Sequence, residues 1–101
     1  MPTTKPVAEA LASRLAPAGT IRIRSMMGEY LLYVDEVLVC LINDGQLFVK
    51  VTPYGEQHLD DSYKASPYPG AKPAFKIPAE KLDDAAWLID FIQHSKEQLK
   101  K

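Results

Sequence analysis

Four runs between Thr20 and Val51 set the hydrophobic pattern of the chain. In TIRIRSM apolar and charged residues alternate, which puts Ile21 and Ile23 on one side of a strand and Arg22 and Arg24 on the other. The next two runs, YLLYV (30–34) and VLVCLI (37–42), are almost wholly apolar. That is expected of central strands covered on both sides, or covered on one side and paired with another subunit on the other. Gln46–Val51 alternates again, with Leu47, Val49 and Val51 set against Phe48 and Lys50. The links are short. Gly28 permits a tight turn after Met26-Met27, Asp35-Glu36 parts the second run from the third, and Asn43-Asp44-Gly45 is a hairpin signal whose residues accept positive φ. Links of that length join antiparallel neighbours, so the stretch predicts a β-meander.

The flanks read differently. Over 4–16, Val7, Ala8, Leu11, Ala12 and Leu15 recur at helical spacing, with Thr3 or Thr4 to cap the start, Pro6 in the first turn and Pro17 and Gly19 as the stop. The stripe is narrow and alanine-rich, which suits close approach to a flat surface. Pro53 ends the fourth strand, and 54–62 predicts a short helix. Pro67, Pro69, Pro73 and Pro78 then make 63–78 a loop, with room for one short strand over 74–77, at an edge or cut off by Pro78. Asp83 or Asp84 caps a last helix over 84–99, whose buried stripe is Ala85, Leu88, Ile89, Ile92 and Leu99. Trp87 falls off that stripe and Phe91 at its margin. The predicted fold class is α+β in two layers, an antiparallel β-meander sheet packed against N- and C-terminal helices, with 1–101 as one domain.

Composition narrows the function classes. With 101 residues, 47% hydrophobic and 25% charged, the chain can bury one core and is not of disordered composition. A formal net charge of −1 gives no global attraction to phosphate backbones or anionic lipid. Cys40 is the single cysteine, so neither an intramolecular disulfide nor a multi-cysteine metal site can form, and inside VLVCLI it reads as a buried apolar residue. No run approaches the ~20 apolar residues of a membrane span. The start lacks the apolar core of a signal peptide, so the expected location is the cytoplasm.

Candidate chemistry is sparse. His58 with Asp60 and Asp61 gives H-x-D-D, but a metal site needs three or four converging ligands, and the trio reads as solvated surface. His94 follows Asp90 by one turn, the spacing of a weak surface pair. No serine sits in a nucleophile elbow and there is no glycine-rich phosphate loop. No catalytic residue, cofactor or metal site is therefore assigned. What remains is a binding surface. Arg22 and Arg24 share a face, Lys50 lies at the far side of the meander, and Tyr30 and Tyr33 are nearby. Such a set can contact phosphates or stack on bases; it can equally lie in solvent or pair with neighbouring carboxylates. Trp87 and Phe91, one turn apart, can anchor a protein partner or pack under the proline-rich loop. The expected partner is a protein, a second copy of the chain included, ahead of nucleic acid and with no membrane.

RSMMGEYLLYVDEVLVCLINDGQLFVKV, followed by FKIPAEKLDD and a terminal helix, resembles the TfoX N-terminal domain family, named for a bacterial regulator of natural competence. A Met-Phe-Gly-Gly type turn of that family corresponds to Met26, Met27, Gly28 and Glu29. A Gly-x-Leu-aromatic-Leu-Lys strand corresponds to Gly45, Gln46, Leu47, Phe48, Val49 and Lys50. An aromatic residue before Pro-x-Glu and an acidic helix start corresponds to Phe75, Pro78, Glu80, Asp83 and Asp84. The resemblance spans Leu11 to Gln98 and departs at Met27 and Glu29, where it leaves the turn geometry open. It implies a two-layer α+β fold similar in outline to secretion chaperones, and a non-enzymatic regulatory or protein-binding module. The competence regulators resemble this domain followed by a second, C-terminal one, for which these residues have no room. Fold thus carries over more readily than the regulator's role.

Overall fold

The computed structural model describes residues 3–100, which form six strands and four α-helices. In chain order these are α1 (Lys5–Arg14), β1 (Ile21–Met26), β2 (Glu29–Val34), β3 (Val37–Asn43), β4 (Gln46–Val49), α2 (Pro53–His58), β5 (Lys64–Ala65), β6 (Ala74–Lys76), α3 (Ala79–Leu82) and α4 (Ala85–Leu99). All strands join one antiparallel sheet in the order β1-β2-β3-β4-β6-β5. The α+β class and the meander are as the pattern predicts. Two short elements were not legible: β5, and α3 ahead of α4. The strand predicted over 74–77 is present, but β5 pairs along its outer side, so it is internal to the sheet rather than an edge.

Each meander turn has two central residues with positive φ, the backbone of type I′ hairpins: Met27 (53°) with Gly28 (85°), Asp35 (50°) with Glu36 (66°), and Asp44 (53°) with Gly45 (72°). Their twist matches that of the flanking strands, which keeps the four-strand ribbon tight. Asp35-Glu36 lacks glycine, and contacts from elsewhere hold it. Asp35 Oδ1 accepts from Thr20 N at 2.9 Å, its Oδ2 accepts from Lys96 Nζ of α4 at 2.9 Å, and Glu36 Oε2 accepts from Arg22 Nε at 2.9 Å. The Thr20 bond, then the Lys96 ammonium, hold the Asp35 carboxyl below its ordinary range; Asp35 and then Glu97 raise that of Lys96.

One face of the sheet carries the core. Leu32, Val34, Cys40, Ile42, Leu47, Val49 and Phe75 are fully buried there beneath Ala8, Leu11 and Leu15 of the first helical segment and Leu88, Phe91 and Ile92 of α4. α4 lies on β3 and α1 beside it on β1. Burial pushes the Cys40 thiol far up from its usual value, as expected of a small apolar core residue. Two parts of the predicted stripes differ. Val7 is exposed, because α1 turns Ala8 and Leu11 toward the sheet, and Ala85 is exposed in the first turn of α4. Phe91 takes a central place instead, edge-on to Phe75 at 6.2 Å between ring centres. Gly55 in α2 lets the helix approach that cluster, since a Cβ there would stand 2.6 Å from the Phe75 ring. The glycine that weakens 54–62 as a helical sequence is thus required by packing, and Thr52 compensates by capping Gly55 N at 3.0 Å.

Candidate functional site: the outer face of the sheet

A register shift between β2 and β3 decides which residues face away from the helices. Tyr33 pairs with Leu38 but Leu32 pairs with Cys40, so Val39 is the extra residue of a β-bulge. Strict alternation from Val37 would turn Cys40 outward and Leu41 inward. The bulge reverses this: Cys40 joins Leu32 and Val49 in the core, and Leu41 joins Leu31 and Phe48 on the outer face. The outer face can then be read in register. One row across five strands runs Arg24, Leu31, Leu41, Phe48, Lys76. The row beside it runs Arg22, Tyr33, Leu38, and alternation along β4 puts Lys50 at its far end. Each row is apolar in the middle and cationic at both ends.

Neither helix covers these rows. Leu31, Tyr33, Leu38 and Leu41 remain half-buried and lie outside the main core. Phe48 (5% exposed) and Ala74 are buried, yet they too stand outside the main cluster, and Pro67 is buried with them. This is a small second core where the 66–73 loop returns to the sheet. Beside it the face opens into a groove of about 620 Å³ walled by Met26, Tyr30, Leu31 and Leu41 on one side and Pro67, Tyr68 and Pro69 on the other. Met27 stands 97% exposed at its mouth. Glu29 closes the end: its Oε1 accepts from Thr3 N (3.2 Å), from the Thr3 hydroxyl and from Asp44 N (3.0 Å). The residue that stands where the family has a second glycine therefore ties the chain start to two hairpin ends.

The predicted site residues divide between the layers. Arg22, Arg24, Tyr33 and Lys50 do share the outer face. Arg22 is occupied, bonded to Glu36 and stacked 4.2 Å over the Tyr33 ring. Tyr30 does not join them: it pairs with Ser25 and Ile42, packs against the core and meets only the groove. It lies three positions from Tyr33 along β2, an odd step, so the two rings take opposite faces. Trp87 and Phe91 belong to the helical layer. Phe91 is 1% exposed, and of its two alternatives the ring takes packing, against Phe75 and Trp87. Trp87 is half-buried, stacked on Phe91 at 4.8 Å, with Lys81 Nζ 4.6 Å from its ring centre. Leu31, Leu38, Leu41, Phe48 and Lys76 were not singled out in advance. For the three leucines the signal was the run of apolar residues on both faces of the central strands, whereas Lys76 joins the row only through the pairing of β6 with β4.

The polar groups weighed for catalysis settle into structural roles. His58 and His94 stack on Tyr54 at 4.1 and 4.4 Å, which requires opposite faces of that ring. Each Nδ1 lies 2.8 Å from a main-chain carbonyl, of Tyr54 and Asp90 respectively, and so must donate. The expected pairing of His94 with Asp90 is present at 3.4 Å. Asp90 also accepts from the Tyr54 hydroxyl at 3.0 Å, and burial, then that carboxylate, raise the phenol above its ordinary range. The set clamps α2 to α4. Asp60 caps Ser62 and Asp61 pairs with Lys64, so the H-x-D-D carboxylates do not converge with His58. Among the described residues no three metal-ligating side chains come together, and no helix is long and apolar enough to cross a membrane.

The model of the TfoX N-terminal domain matches residues 13–99. The chain belongs to the TfoX N-terminal domain family. It is also 35% identical over 72 residues to an uncharacterised 12.7 kDa protein encoded in the trpE 5′ region of Spirochaeta aurantia, a match that takes in 71% of this chain and 63% of that protein. The β-meander, the 46–49 strand and the acidic start of α4 on which the resemblance rested all lie inside the matched span of this TfoX N-terminal domain.

Proposed function

We propose that this TfoX N-terminal domain is a non-enzymatic regulatory module that binds a protein partner through the outer face of its sheet. The carrying observation is the strip of Leu31, Tyr33, Leu38 and Leu41, which stays half-buried while the opposite face of the same strands is sealed. Contiguous apolar surface of this kind, rimmed by charge, is what protein interfaces use. A cytoplasmic location and a link to transcriptional regulation of competence form part of the proposal and rest on family membership. The test is capture from a bacterial lysate with immobilised wild type, Leu41→Asp and Lys5→Glu, followed by reconstitution with the purified partner. Binding kept by Lys5→Glu and lost by Leu41→Asp supports the reading. Binding indifferent to Leu41→Asp overturns it.

A second reading is nucleic-acid binding, favoured by one observation: Arg22, Arg24 and Lys50 lie on a single face. Against it, Arg22 is already neutralised by Glu36 and covers Tyr33, the aromatic ring best placed to stack on a base. A DNA or RNA affinity that falls steeply with salt would establish this reading instead.

A further inference from the structure

The charge in the two outer-face rows is one-sided although the chain as a whole is close to neutral. Arg24, Lys50 and Lys76 make no ion pair among the described residues. Glu36, beside the second row, is neutralised by Arg22, and Glu29, at the groove end and outside both rows, is bonded to Thr3 and Asp44 N. Unneutralised charge in the two rows is therefore positive and is placed in two columns, Arg24 on β1 and Lys76 with Lys50 at the β4 side. Four strand spacings separate Arg24 from Lys76, about 19 Å. Between the columns lies an apolar trough, Leu31 and Leu41 in one row and Tyr33 and Leu38 in the next, bounded on the β4 side by Phe48, which is already buried.

We infer that the trough takes an acidic amphipathic helix, laid along the strands with apolar residues down and carboxylates on both flanks. The inference rests on the protein-binding reading above and names the class of partner. The dimensions suit this occupant. A helix with its side chains is about 10–12 Å across, which leaves each flank within side-chain reach of one cation column. Anchors at i, i+3, i+4 and i+7 would match the rows below. An added strand would use a sheet edge instead, and a duplex would demand cations along the middle, where this face is apolar. Charge complementarity sets the orientation and the rate of encounter, and apolar burial in the trough holds the complex.

The probe is a fluorescein-labelled, capped 16-residue peptide with leucine on one helical face and glutamate on both flanks. Its partners are the same peptide with lysine for glutamate, one with alanine for leucine, and a labelled DNA duplex. Anisotropy should show saturable binding of the Leu/Glu peptide. The double variant R24E/K76E should weaken it about tenfold or more, Lys5→Glu should leave it unchanged, and the Leu/Lys and Ala/Glu peptides should bind far less. Both substituted cations are exposed or at the sheet margin, and Trp87 fluorescence checks that the fold is retained. Failure of the Leu/Glu peptide to bind, equal binding of the Leu/Lys peptide, or preference for the duplex overturns the inference. Light scattering covers the remaining occupant: a mass above 11.3 kDa that falls on Leu41→Asp assigns the trough to a second copy and also overturns it. If the purified partner is lost on Leu41→Asp but unaffected by R24E/K76E, the protein-binding reading stands and the acidic helix does not.

Discussion

The two faces of one sheet, built from the same strands, have opposite characters. On the inner face Leu32, Val34, Cys40, Ile42, Leu47 and Val49 are sealed under two helices, and every neighbour is fixed by packing. On the outer face Leu31, Tyr33, Leu38 and Leu41 keep part of their surface in water between two columns of cations. Apolar residues occur on both, so hydrophobicity by itself does not tell the covered face from the open one. What separates them is cover. The helices carry enough apolar stripe for one face, the 66–73 loop reaches a corner of the other, and the remainder stays partly open to solvent.

That contrast can be broken by paired truncations at adjacent positions. Ile42→Ala, on the inner face, should cost about 2–5 kcal/mol, whereas Leu41→Ala next to it should cost about 1 kcal/mol or less, both read from urea unfolding. Equal losses would mean that the outer face is core. Crowding the inner face should be the next largest effect. Gly55→Ala places a methyl against Phe75, fully enclosed with no room to turn aside, and should lower stability by about 1–3 kcal/mol.

The inner face also has a flaw whose repair sharpens the comparison. Ser95 is fully buried in α4 with no hydrogen-bond partner for its hydroxyl among the described residues. Ser95→Ala should raise stability by about 1 kcal/mol, seen as a higher urea midpoint at unchanged slope. At the edge of the outer face, Met27 holds φ 53° with its side chain in water. Met27→Asn makes the turn Asn-Gly and should stabilise by about 0.5–1 kcal/mol; a loss there would show that the methionine packs on something.

The smallest effect concerns the clasp between the layers, the Asp35–Lys96 pair. The Asp35 carboxyl is depressed in the folded state, so its contribution is present above the ordinary carboxylate range and is lost as pH falls through the folded value, below about pH 4. Lys96 is raised, so its contribution is present below the ordinary ammonium value and disappears as pH rises through the folded one, above about pH 10. Asp35→Asn should lower the neutral plateau of a stability–pH curve slightly and flatten its acid limb, so that the variant and wild-type curves converge below about pH 4. An acid limb identical to wild type would remove Asp35 from that role.

Much of this fold is legible in the chain because it is local. Turns of two residues, alternation in β1 and β4, the Asp84 cap and the helical stripes are all set by residues within a few positions of one another. The alternating pattern and the turns determined an antiparallel meander with helices on it, and the doubly apolar central strands announced that a second face would need covering. Tertiary structure decided the rest, since it depends on pairings that no local window contains. The Val39 bulge, fixed by the register of β3 against β2, sends Cys40 in and Leu41 out. β6 finds β4 across 24 residues of chain and carries Lys76 to the far rim of the trough. Phe91 is drawn from the margin of its helix into the core because Phe75 and Gly55 open a space there that only the assembled layers define.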